Sequence, residues 1–235
     1  MTAGSPCCFA GSTGRGVRVA VVDSGIHGGH PHVGGVSGGI GLVTPGAECG
    51  DYVDRLGHGT AVAAAIRDVA PGVDLLAVKI FEDRLSADTD TLVRAIDWAS
   101  GHDASVINLS LGTARQDAAA ALGAAVERAV RCGAIVVAAG EQGGTRWLPG
   151  SLAGVLPVVV DWECPRSEYR VTPSPAGMLF RASGYPRDIP GVPRERNLKG
   201  ISFAVANMSG FVARSLESSP VRSLEEVVRA LVEQA

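Results

Sequence analysis

At 235 residues with 46% hydrophobic content, the chain has the size of one compact domain, since α/β domains commonly run to about 250 residues. A formal net charge of −3 without any Lys/Arg cluster leaves no electrostatic footprint for nucleic acid or an anionic membrane, so neither partner is expected. No apolar run reaches the roughly 20 residues of a membrane span, and the Gly/Ser-rich residues 1–16 lack the basic and apolar regions of a secretory signal.

In chain order, residues 1–16 read as a flexible lead-in. A continuous apolar run over 17–23 then ends on Asp23, and helical spacing follows over 58–69. A second apolar run spans 74–80. The next helix, 89–99, opens with Asp88 as its N-cap. Runs at 105–111 and 134–140 flank a helix over 116–131 that Gly133 closes, and a last run covers 155–161. These runs are continuous rather than alternating, as strands buried on both faces are. Residues 166–199, rich in Pro, Arg and Gly, read as surface loop with room for one hairpin, before helices at 202–216 and 224–233. The alternation predicts a doubly wound α/β fold with a mainly parallel sheet flanked by helices, and residues 1–235 as a single domain. Sites in such sheets collect at the carboxyl ends of strands, where Asp23, Leu111 and Gly140 fall.

Three segments carry chemistry. Val19-Ala-Val-Val-Asp23 ends a buried strand on a carboxylate that can fix an imidazole's tautomer and stabilise its charged form. Gly57-His58-Gly59-Thr60 opens an Ala-rich helix with glycines that let backbone approach the histidine from both sides. Gly200-Ile201-Ser202 opens a later helix, where backbone N–H groups favour negative charge developing at a hydroxyl. Singly, each is an ordinary turn aspartate, structural histidine or helix cap. Together, in the order Asp, His, Ser, they follow one of the chain orders of the convergent triad, with Asp23 orienting, His58 as general base and Ser202 as nucleophile. His27, His30 and His32 with Asp51 or Asp54 fit no standard zinc spacing, so no metal or other cofactor is expected. Cys7, Cys8, Cys49, Cys132 and Cys164 are irregularly spaced, which suits reduced thiols and a cytoplasmic location better than a disulfide framework. The arginines between 181 and 196 suggest an acidic peptide partner less than they suggest a solvated loop.

From 17 to 211 the chain resembles the subtilase family. Val21-Val-Asp-Ser-Gly-Ile26 with His30-Pro31 is similar to the family's aspartate motif, and Gly57-His-Gly-Thr60 to its histidine motif; Ser105-Val-Ile-Asn-Leu-Ser-Leu-Gly112 resembles a framework stretch. The resemblance implies a subtilisin-like fold. It also implies that Ser110, Leu111 and Gly112 on one side and Ala138, Ala139 and Gly140 on the other flank the substrate's P1 residue and pair with its backbone.

Two departures matter. Where the family usually has Ala-Ala-Gly-Asn, whose asparagine donates to the oxyanion, this chain has Ala138-Ala-Gly-Glu141. The serine motif reads Gly200-Ile-Ser-Phe-Ala204 followed by Val-Ala-Asn207, where the family prefers Gly-Thr-Ser-Met-Ala and then Pro-His. Asp23 lies so near Met1 that no prodomain of the family's kind is expected. The resulting expectation is a cytoplasmic serine endopeptidase acting on one peptide or protein substrate, such as a peptide natural product under maturation, with room for a partner protein in that pathway. The rival expectation is a subtilase-derived protein that binds or modifies a peptide, Glu141 marking the change.

Overall fold

The structure, a computed structural model, describes residues 9–43, 46–175, 177–218 and 223–235. Cys7 and Cys8 lie outside them; Cys49 and Cys132 are exposed free thiols, and Cys164 is buried with its Sγ–H donating to the Glu168 carbonyl at 3.4 Å.

Among the described residues, eight strands form one sheet in the order β2-β3-β1-β4-β5-β6-β8-β7. The five apolar runs become β1 (Arg18–Asp23), β3 (Asp74–Lys79), β4 (Val106–Leu109), β5 (Ile135–Ala139) and β6 (Val155–Val160), all parallel to their neighbours. The hairpin in the Pro/Arg/Gly stretch is β7 (Tyr169–Ser174) and β8 (Gly177–Ala182), which gives the sheet its antiparallel edge. Sequence reading missed β2 (Gly38–Gly41). Its glycines hide it: a Cβ on Gly39 would lie 2.5 Å from the Ala77 carbonyl oxygen and 2.7 Å from the Tyr52 ring, so the edge strand needs glycine at that position.

Helices cover both faces. Along β1 and β3, Val19, Val21, Leu75 and Ala77 turn to one core with α1 (His58–Val69), α4 (Ile201–Ser218) and α5 (Leu224–Glu233). Ala20, Val22, Leu76 and Val78 turn to a second core with α2 (Thr89–Gly101) and α3 (Ala119–Arg131). Asp88 caps α2 as expected, accepting from the Thr91 N–H at 2.7 Å. The first turn of the helix expected at 116–131 is a separate 3₁₀ turn, Gln116–Ala118.

The described part of the lead-in is tied down rather than free. Phe9 is buried, its carbonyl accepts from Arg214 at 2.8 Å, and the Glu217 carboxylate near the end of α4 accepts from the N–H groups of Thr13 and Gly14. Composition hid this because the partners are more than 200 residues away.

Candidate active site

β1 lies where the strand order reverses, with β3 on one side and β4 on the other, so the ends of β1 and β4 open into the crevice such sheets use for ligands. Asp23 closes β1 there, fully buried, and His58 is the first residue of α1. The His58 Nδ1–H donates to both Asp23 carboxylate oxygens, at 2.8 and 3.0 Å. The Ser24 N–H donates to Asp23 Oδ1 at 2.8 Å, so the carboxylate is fixed from its own turn as well. A Cβ on Gly59 would lie 2.2 Å from the Gly25 carbonyl oxygen and 3.2 Å from Asp23 Oδ1, which is why the motif needs glycine after its histidine. Burial, the largest influence on the ring, disfavours its charged form. The Asp23 hydrogen bond and the negative charges of Asp23 and Asp54 together outweigh burial, and His58 titrates above the ordinary histidine value.

Ser202 is in the first turn of α4, beside Phe203, whose ring centroid is 5.9 Å from that of His58. Its hydroxyl donates to the Ser110 carbonyl at 3.0 Å, and among the described residues no hydrogen bond joins it to His58. The expected Asp–His–Ser relay is therefore formed in its first half, with the hydroxyl parked on the neighbouring strand end. The Ser110 hydroxyl returns the contact by donating to the Ser202 carbonyl at 2.9 Å.

Behind this pair runs a buried polar chain that sequence reading did not single out. The Asn108 amide donates to the Ser110 hydroxyl at 2.9 Å, and the Ser209 hydroxyl on α4 donates to Asn108 Oδ1 at 3.0 Å.

Leu109 of β4 pairs in register with Ala138 of β5, so residues 110–112, which leave the sheet after β4, run beside the end of β5 and Gly140. Thr113 and Leu148 exchange two backbone hydrogen bonds, of 3.0 and 2.9 Å, which close the far end of this cleft. The Leu148-Pro149-Gly150 turn was the available sequence signal for that wall. Next to Leu111 and Gly112 opens a cavity of about 360 Å³ with Phe81, Leu85, Leu92 and Leu122 in its lining. A second cavity, about 420 Å³, lies against Gly57 and Leu198 and is walled by Ala61, Ala64 and Ile189.

Glu141 follows Gly140, whose N–H donates to the Val158 carbonyl at 2.8 Å, and it is exposed. Gln142, the next residue and a side-chain amide, is turned to β6, its Oε1 accepting from the Val160 N–H at 3.1 Å.

His27, His30 and His32 line the second cavity, with the His30 and His32 rings edge to face at 5.1 Å. Among the described residues no group of three His, Cys, Asp or Glu side chains is placed to hold a metal. In the loop rich in arginine, Arg187 pairs with Asp68 at 3.5 Å and Arg194 stacks on Tyr185 at 3.8 Å, so these cations serve the loop's own packing.

The Subtilase family profile matches residues 14–160, which include Asp23 and His58. Subtilisin E of Bacillus subtilis is 38% identical over 143 residues, 57% of this chain and 36% of that protein. Alkaline elastase YaB of a Bacillus species is 30% identical over 222 residues, 89% of this chain and 57% of that protein. The chain thus spans between about a third and somewhat over half of these relatives' lengths. A cold-adapted subtilisin-like serine proteinase superposes with a TM-score of 0.74 at 23% identity, covering 96% of this chain and 84% of that one, so the likeness extends to the whole fold. With the matched profile spanning both the aspartate and histidine motifs, the chain belongs to the subtilase family.

Proposed function

We propose that this protein is a serine endopeptidase that cleaves a specific peptide or protein substrate through an acyl-enzyme. The observation that carries the reading is the buried Asp23 carboxylate holding His58 Nδ1 through both oxygens, which leaves Nε2 as the basic nitrogen. Substrate binding then has to release the Ser202 hydroxyl from the Ser110 carbonyl toward His58. Ser202 Oγ bonds to the scissile carbonyl carbon as its proton passes to Nε2, and the carbonyl π pair moves onto oxygen. Collapse breaks the C–N bond, and the amine leaves with the proton from His58. Water repeats the sequence on the ester and frees the acid. The Ser202 N–H, at the start of α4, is one of the helix's unused donors and supplies one oxyanion contact.

Cavities on both sides of the reacting residues support a substrate read at several positions, such as a precursor peptide undergoing maturation. The exposed thiols of Cys49 and Cys132 support action in a reducing cytoplasm.

Fluorophosphonate labelling followed by intact mass tests the reading. One adduct is expected on the wild type and none on Ser202→Ala, with labelling falling as pH drops through the raised His58 value, because the base must be neutral. Folded wild type that takes up no adduct at any pH leaves the alternative, a subtilase scaffold that binds or modifies a peptide.

A further inference from the structure

A second buried carboxylate stands behind the first. Asp54 is only 9% exposed, and among the described residues its hydrogen bonds come from neutral donors. Its Oδ1 accepts from the Ser24 hydroxyl at 2.8 Å, the Leu56 N–H at 2.9 Å and the Gly57 N–H at 2.8 Å. Its Oδ2 accepts from the N–H and hydroxyl of Thr60, at 2.8 and 2.6 Å. Leu56, Gly57 and Thr60 lie within two residues of His58 on its two sides. Gly57 has a left-handed φ of 83° and offers no side-chain cap, so Asp54 closes the start of α1 from three residues further back.

Ser24 links the two carboxylates. Its N–H is committed to Asp23, its hydroxyl donates to Asp54, and the same oxygen accepts from the Gly59 N–H at 3.0 Å. A shift of Asp54 would therefore move Gly57, Gly59 and Thr60 together, and His58 with them.

We propose that Asp54 is a positioning residue of this site, fixing the first turn of α1 under His58 and placing a standing negative charge beside the imidazole. The proposal rests on the peptidase reading only for its consequence in catalysis. Burial pushes the Asp54 carboxyl up, but its bonds from Thr60, Ser24 and Gly57 outweigh this and hold it below the usual carboxylate range, so the charge is present across the pH range in which His58 titrates. The groups around His58 are Asp23 from β1, Asp54 from the loop before α1, and Phe203 with Ser202 from α4. His27, His30, His32 and Arg187 line the cavity on the far side of Asp54, and Arg187 is paired with Asp68.

The test reads His58 directly. In the Ser202→Ala background, NMR titration of the imidazole is compared between Asp54 and Asp54→Asn, with His102 at the end of α2 as the internal control, since His27, His30 and His32 share a cavity with Asp54. Loss of the charge is expected to lower the His58 midpoint by roughly half to one pH unit and leave His102 in place. Asp54→Glu should restore most of the shift. With Ser202 present, the acid limb of fluorophosphonate labelling should move down with the midpoint. If Asp54→Asn does not fold, Asp54→Ser, whose hydroxyl still accepts from the helix start, carries the same expectation. An unchanged His58 midpoint in either folded variant overturns the proposal. A shifted midpoint in a protein that never labels upholds it while the peptidase reading falls.

Discussion

On the proposed peptidase reading, Glu141 stands at the oxyanion position. A subtilase ordinarily has a neutral amide donor here, and this chain presents an exposed carboxyl group at the same point of the sequence. Losing one oxyanion donor costs about 10²–10³ in kcat, and a negative charge near a forming oxyanion adds repulsion to that loss. Glu141→Asn is therefore expected to raise kcat on an activated ester by up to about 10²–10³, with Ser202→Ala in the same background removing the gain. Steady-state kinetics on both variants check this. A folded Glu141→Asn variant no faster than wild type would mean that the oxyanion donors of this site lie elsewhere.

At the scale of elements, the junction between β4 and α4 holds Ser202 in place. Asn108 is fully buried in the middle of the sheet, where an amide is costly unless both its ends are bonded, and Ser209 supplies the bond to its oxygen. Ser209→Ala strands that oxygen and should cost about 1–3 kcal/mol, more than the removal of a surface hydroxyl. Chemical denaturation with an unchanged m-value checks it, and a loss within error of zero would show that Asn108 finds another partner. This junction also marks where sequence reading ended. Asp88, His58 and the five apolar runs announced themselves through short-range pattern: a cap, a motif, a buried strand. Asn108 sat inside one of those runs and was passed over, because its partners are Ser110 and a serine 101 positions later. Asp54 was noticed only as a weak metal candidate, since its role comes from donors that fold around it. The parked Ser202 hydroxyl was equally illegible, for a rotamer depends on the neighbouring strand end rather than on the Gly-Ile-Ser motif. The anchoring of the described lead-in residues 9–16 was illegible for the same reason, Glu217 being remote in sequence.

Across the whole molecule, stability and the site share one element. α4 is buried from Phe203 to Ala213 and packs on α1, α5 and the sheet, so the helix that presents Ser202 is also the spine of the larger core. Phe211, with no exposure, sits in that spine with its ring centroid 4.9 Å from that of Tyr169 on β7, some way along the helix from the reacting groups. Removing its side chain leaves a cavity that the packed helix cannot close and should cost about 3–5 kcal/mol. In a domain of this size, that corresponds to a fall in Tm of roughly 6–20 °C. Because Ser202 and Phe211 ride on one buried helix, the Phe211→Ala variant should keep its labelling rate at low temperature and lose labelling and near-UV circular dichroism in a single, earlier transition. Parallel thermal scans of the two signals decide the matter: labelling that disappears well before the tertiary signal would mean that the site opens on its own and that α4 does not couple it to the core.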